Sequence, residues 1–239
     1  MWRNCPKYFR AVTCTSEVNM RVVMLGAPGA GKGTQSNYFA ERFSIPHISS
    51  GTLFRRNIKE ETDLGKRVKE IIDRGELVPD QIVIEMVMER ILQRDCSRGY
   101  ILDGFPRTYA QAKALRHSLL KFGEEIDYAV SLSVPDDIIR ERMTTRIVCP
   151  VCDAQYNTRT NPPIITGICD KCGAPLTGRA DDDEETVAKR LEIFHSETEP
   201  IRDYYRRKGI LIEIDGTLHP YDVYKEIVKS LVHYGYNQN

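Results

Sequence analysis

The sequence predicts an α/β fold with a parallel sheet of about five strands flanked by helices, and three features lead there. Short apolar runs at residues 22–25, 100–102, 128–134 and 210–214 each precede turn residues and then a segment of helical period. The first of these runs into a glycine-rich turn and a helical stretch to about Phe43, which together make a βα unit. Two further stretches break the alternation and read as insertions. Residues 49–78 are helical in pattern without a strand, while residues 142–179 are poor in helix formers and carry Pro150, Pro162, Pro163 and Pro175. The core is therefore expected over residues 20–48, 79–141 and 180–239. After the second insertion, residues 183–208 read as one long helix, with acidic residues at the end where the macrodipole favours them.

A chain of 239 residues with 41% hydrophobic content can bury a substantial core. Its 34 basic residues balance 34 acidic ones, so any anion site must be local. No apolar run approaches the ~18 residues of a membrane-spanning helix. Seven cysteines raise the idea of a secreted disulfide framework, but no signal-peptide core is present and four of them form two CxxC pairs. A reducing compartment is expected, with Cys5, Cys14 and Cys96 as ordinary free thiols. Residues 1–19 place Arg3, Lys7 and Arg10 ahead of any acidic residue. They read as a frayed extension of a cytoplasmic protein, or alternatively as a short transit peptide for mitochondria.

The segment Gly26-Ala27-Pro28-Gly29-Ala30-Gly31-Lys32-Gly33-Thr34 lies between an apolar strand and a helix, the context a P-loop requires. Glycines let successive N–H groups turn inward, the helix offers its positive end, and Lys32 reaches the β and γ phosphates. Gly33 stands directly after the lysine, where Ser or Thr is common, and Thr34 comes second. The same chain carries Leu102-Asp103-Gly104-Phe105-Pro106-Arg107-Thr108 at the end of a later strand. With these two segments, residues 20 to 232 resemble the nucleoside monophosphate kinases, and the adenylate kinases in particular.

That resemblance implies a P-loop NTPase fold with a helical AMP-binding insert and a lid, acting on ATP, AMP and ADP. In Ser49-Ser50-Gly51-Thr52-Leu53-Phe54-Arg55, Arg55 matches the arginine that grips the AMP phosphate, although Thr52 stands where the family carries Asp. Arg107 matches the second such arginine. The turn around Leu77 and Val78 matches the one lying along the AMP adenine, Gln111 its side-chain reader, and Ser50 and Gly104 complete that pocket. On the ATP side the match gives Gly29, Ala30, Gly31, Lys32, Gly33 and Thr34, with Arg142, Tyr156, Thr217 and Leu218. Asp103 takes the position that helps hold hydrated Mg²⁺. Arg142 and Arg146 entering the second insert, and Arg179 and Arg190 leaving it, align with family arginines; the family reads Gly-Arg-Arg where this chain has Thr145-Arg146-Ile147, so one arginine of that run is absent and Arg146 is the match.

The reaction implied is in-line transfer, with an AMP phosphate oxygen as nucleophile. That oxygen is ionised at neutral pH, so catalysis reduces to positioning and electrostatics by Lys32, the arginines and Mg²⁺. His47, His117, His195, His219 and His233 are accordingly read as surface or packing residues.

Cys149-x2-Cys152-x16-Cys169-x2-Cys172 has the spacing of tetrahedral zinc knuckles. Four thiolates close the shell, so the zinc is expected to be structural. The segment is similar to the lid of zinc-bearing adenylate kinases, Tyr156 and Pro162-Pro163 included. A lid excludes water, itself a competent phosphoryl acceptor. Asp181 and Asp182 either tie the lid base or form a solvated acidic run.

A zinc-knuckle nucleic-acid-binding P-loop protein is disfavoured, because the residues between Cys149 and Cys172 hold few cations and only Tyr156 as an aromatic. A GTPase is disfavoured by the lack of an NKxD motif. The nearer alternative is a GTP:AMP or UMP/CMP phosphotransferase of the same family; the zinc lid and Gln111 favour ATP and AMP. A monomer without nucleic-acid or membrane partners is expected.

Overall fold

The computed structural model describes residues 19–236. Residues 1–18, with Cys5, Cys14 and the organelle reading, lie outside the described residues, as does the His233 side chain. In chain order the strands are β1 (Met20–Gly26), β2 (His47–Ser49), β3 (Gly99–Asp103), β4 (Tyr128–Ser133), β5 (Arg146–Val148), β6 (Gln155–Asn157), β7 (Thr177–Gly178) and β8 (Leu211–Asp215). The helices are α1 (Lys32–Phe43), α2 (Ser50–Lys59), α3 (Asp63–Asp73), α4 (Asp80–Ile91), α5 (Tyr109–Leu120), α6 (Asp136–Thr144), α7 (Glu184–Ile193), α8 (Ile201–Arg207) and α9 (Pro220–Tyr236).

The main sheet has five strands in the order β2-β3-β1-β4-β8, all parallel. The apolar run of β1 is buried on both faces, as a central parallel strand requires. Val22 and Met24 pack with Phe39, Ile139, Val187 and Ile227 on one side. Val23 and Leu25 face the other way, with Val87, Leu115, Ile201 and Tyr205. Adjacent strands β1 and β3 are in register at Met24 and Asp103. The turn after β1 and the end of β3 therefore open at the same carboxyl edge, where α/β sheets bind ligands.

Two pieces project from that edge. α2 and α3 form one, their first turns capped by the Ser49 and Thr62 side chains. Gly65 lets the two helices touch, since a Cβ there would lie 2.1 Å from the Asn57 carbonyl oxygen. The other is an antiparallel sheet, β6-β5-β7, with a small core of Cys149, Ala154, Tyr156 and Cys169.

Two expectations need correction. Residues 183–208 are not one helix: a π-helical stretch, Phe194–Thr198, and then Pro200 separate α7 from α8. Proline has no N–H to continue the ladder. β2 also lay hidden, because three residues carry no readable alternation. Among the described residues no helix is long and apolar enough to cross a membrane.

Gly65→Ala forces its new Cβ against backbone that cannot retreat, and is expected to lower the unfolding free energy by about 1–3 kcal/mol. Gly178→Ala, where an added Cβ meets nothing within 4 Å, should change it by less than about 0.5 kcal/mol. Urea unfolding of both variants checks the contrast.

Candidate active site

The turn between β1 and α1 is held open by Gly31, which caps the helix at φ +95°. A Cβ there would meet nothing within 4 Å, so the left-handed backbone alone requires glycine, and the space in front stays free. Lys32 Nζ donates to the carbonyls of Gly26 at 2.9 Å and Ala27 at 2.8 Å, which curls the loop around the ammonium. Burial pushes its pKa down to about 8; Asp103 opposes the fall, while Arg107, Arg190 and Arg146 add to it.

Asp103 stands beside this loop. A Cβ on Gly33 would lie 3.4 Å from Asp103 Oδ2, which places the carboxylate against the start of α1. Burial would raise the Asp103 pKa, but the His47 hydrogen bond and the charges of Lys32 and Arg107 outweigh it and hold the group below its usual range. His47 is thus not a mere surface or packing residue: its Nε2 lies 3.3 Å from Asp103 Oδ2 and its Nδ1 2.9 Å from Asn37 Oδ1. By contrast, His195 sits at the surface between Asp136 and Glu199, and His117 and His219 are exposed.

One cleft of about 570 Å³ collects Lys32, Arg55, Arg107, Arg142, Arg146, Arg179 and Arg190. Their anchors differ. Arg146 is bidentate on Asp182, at 2.7 and 2.5 Å, and Arg190 reaches Asp181 at 2.7 Å. Asp182 is only 7% exposed, so this acidic pair anchors two arginines rather than forming a solvated run. Arg142 donates to the Gly216 carbonyl at 2.9 Å, Arg107 to that of Gly104 at 2.9 Å, and Arg55 to Thr52 Oγ1 at 3.1 Å. Arg179 Nε is buried without a partner. Among the described residues Arg55, Arg107, Arg142 and Arg179 make no ion pair within 4.0 Å. Burial, then repulsion by Arg190, brings Arg107 to about 10. Burial, then Arg146 and Arg55, brings Arg179 to about 9.

The remaining expected residues fall around these cations. Gly29, Ala30, Gly31, Gly33, Thr34, Thr217 and Leu218 line the cleft. Ser50, Leu77, Val78, Gly104 and Gln111 line a smaller cavity together with Arg55, Arg107 and Arg190. Ser50 is itself engaged, donating from Oγ to the Gly104 carbonyl at 2.7 Å. Tyr156 touches the cleft, yet its hydroxyl lies 3.5 Å from Cys169 Sγ and accepts from the Asp170 N–H at 2.8 Å. Thr145 Oγ1, where the family carries glycine, accepts from Asn157 Nδ2 at 2.8 Å and secures the base of the antiparallel sheet. Sequence reading missed Gln155, which brings a carboxamide into the cleft opposite Gly33; an exposed-reading polar residue on a short strand gives no local signal.

The sulfurs of Cys149, Cys152, Cys169 and Cys172 all lie within 4.8 Å of one another, Cys149 to Cys172 at 3.4 Å and Cys152 to Cys169 at 3.5 Å. None forms a disulfide. Four sulfurs about 2.3 Å from one ion stand roughly 3.8 Å apart, so the set fits a closed tetrahedral metal.

A family model described as adenylate kinase matches residues 24–210. The chain is 51% identical over 212 residues to the adenylate kinase of Caldicellulosiruptor bescii, covering 89% of this chain and 99% of that protein. It is 50% identical over 208 residues to the adenylate kinase of Bacillus subtilis, covering 87% and 96%. To that of Lachnoclostridium phytofermentans it is 51% identical over 212 residues, covering 89% and 98%.

The Lys32 ammonium binds anions only when protonated, and burial disfavours that form. Affinity for inorganic tripolyphosphate is therefore expected to be full below about pH 8 and to weaken as pH rises through that value. Calorimetric titration across pH 6.5–9.5 measures it, with Lys32→Met expected to remove the step.

Proposed function

The chain belongs to the adenylate kinase family and is a phosphotransferase, and from that premise we propose how its residues divide the transfer between ATP and AMP. The observation that carries the reading is one cleft holding a lysine and six arginines, four of them without a carboxylate. Such a surface is built for two polyanions at once, because guanidiniums bind phosphate oxygens in pairs.

On the donor side, the amides of Gly29 to Thr34 and the Lys32 ammonium hold the ATP phosphates. Arg142, Tyr156, Thr217 and Leu218 flank the donor nucleoside; Arg142 is tied to the carbonyl of Gly216, which supports that assignment. On the acceptor side, Arg55 and Arg107 hold the AMP phosphate, and Ser50, Leu77, Val78, Gly104 and Gln111 enclose its base and sugar. Arg146, Arg179 and Arg190 lie between, where charge accumulates on the moving group. An AMP phosphate oxygen attacks the γ-phosphorus and ADP leaves in line. No side chain need accept a proton, and His47 serves to steady Asp103. Asp103, an ionised acceptor beside the loop, suits Mg²⁺, which favours one or two carboxylates and retains its waters. The chemistry Mg²⁺ would supply there, arriving with ATP, is neutralisation of phosphate charge.

Residues 49–78 form the AMP-binding insert, and residues 142–179 a lid that excludes water. Zn²⁺ on Cys149, Cys152, Cys169 and Cys172 gives the lid a rigidity its small core cannot, and Tyr156 braces Cys169. Since all subsites lie within one chain, the enzyme works as a monomer on nucleotides alone. Free cysteines suit the reducing cytoplasm.

Lys32→Ala is expected to lower the rate of ADP formation from ATP, AMP and Mg²⁺ by at least about 10³-fold in a coupled assay; near-normal turnover would exclude the P-loop role. Metal analysis of protein purified under reducing conditions is expected to return about one zinc per chain. Cys149→Ser with Cys152→Ser should lose it and melt at lower temperature, and a metal-free parent would exclude the zinc lid.

A further inference from the structure

The smaller cavity contains a carboxamide that has been deprived of its freedom to turn. Gln111 is 1% exposed. Its Oε1 accepts from the Arg107 N–H at 2.7 Å, and its Nε2 donates to Asp80 Oδ1 at 2.7 Å. Asp80, the first residue of α4, is held in turn by Thr108 Oγ1, which donates to Asp80 Oδ2 at 2.9 Å and accepts from the Gln111 N–H at 3.1 Å. Asp80 itself does not line the cavity, whereas Gln111 does.

A glutamine amide has nearly the same shape either way round, so a free one can present donor and acceptor in either order. Here the order is fixed by chemistry. A carboxylate only accepts and a backbone N–H only donates, so reversing the amide would set oxygen against carboxylate and N–H against N–H. Two hydrogen bonds would be replaced by two repulsions in a buried place. One Nε2 proton and one Oε1 lone pair remain uncommitted, in a fixed order.

That order suits one class of purine. A 6-aminopurine offers an acceptor at N1 beside a donating amino group; a 6-oxopurine offers N1–H beside an acceptor. We infer that Asp80 is a positioning residue for base selection: by locking Gln111 it makes the acceptor site read 6-amino against 6-oxo purine monophosphates. The inference rests on the reading of Gln111 as the residue facing the acceptor base.

Initial rates of the full-length enzyme with ATP as donor and AMP or IMP as acceptor test it, in the parent, Asp80→Ala, Gln111→Ala and the double variant. Asp80→Ala is expected to lower the AMP-over-IMP ratio of kcat/KM by about tenfold or more, chiefly through the KM for AMP, with the KM for ATP within about twofold of the parent. In the Gln111→Ala background, Asp80→Ala should lower the ratio no further. If Gln111→Ala lowers the ratio and Asp80→Ala does not, the positioning role is overturned while the base-reading assignment stands. If Gln111→Ala leaves the ratio unchanged, that assignment fails and the proposal with it. An equal fall from Asp80→Ala in both backgrounds also overturns it, since Asp80 would then act by another route. Should Asp80→Ala not fold, Asp80→Asn keeps the shape while its own amide can turn; a ratio within about twofold of the parent refutes the lock.

Discussion

Lys32 and six arginines share a space whose burial already disfavours charge, and they repel one another across it. Lys32, Arg107 and Arg179 have their pKa values drawn down to about 8, about 10 and about 9. A protein interior holds such a group only when something compensates. Compensation here is partial: Asp182 and Asp181 secure Arg146 and Arg190, Asp103 lies near Lys32, Arg55, Arg107 and Arg142 donate only to oxygens of neutral groups, and Arg179 Nε has no partner. This surplus of positive charge suits phosphate anions, and in the proposed reaction the same residues would supply both binding and preorganisation.

The scaffold explains how so many cations can be brought together. Parallel strands open at one edge, and from it come the loop bearing Lys32, the strand end bearing Asp103, the α2–α3 piece bearing Arg55, and the antiparallel sheet bearing Arg146. Lys59 of α2 donates to the Pro150 carbonyl at 3.1 Å, so the two projecting pieces meet over the cleft. Each cation arrives from a separate element, and the cleft can tighten or relax by moving elements rather than rebuilding a core.

What the sequence disclosed follows from distance along the chain. The phosphate loop and the two cysteine pairs are each written in a few consecutive residues, because a tight turn must converge its groups at once. Four of the five strands of the main sheet were legible because buried strands need unbroken apolar runs. Contacts between remote segments were not: His47 meets Asp103 across 56 positions, Arg146 meets Asp182 across 36, and Gln111 meets Asp80 across 31. Asp80 carries no motif at all, and only folding reveals that it faces an amide. Tyr156 lies between two roles, since one ring touches both the cleft and the thiol cluster.

Where the antiparallel sheet leaves and rejoins the main fold, β5 and β7 run side by side, with Ile147 opposite Gly178 and Val148 opposite Thr177. The chain therefore departs and returns through a doorway one strand spacing wide. A segment attached that way is interchangeable: what fills it can lengthen, shrink or swap its four-cysteine cluster for another kind of brace without disturbing the strands beneath. Variety in this part of the molecule is open to evolution at little risk to the phosphate loop.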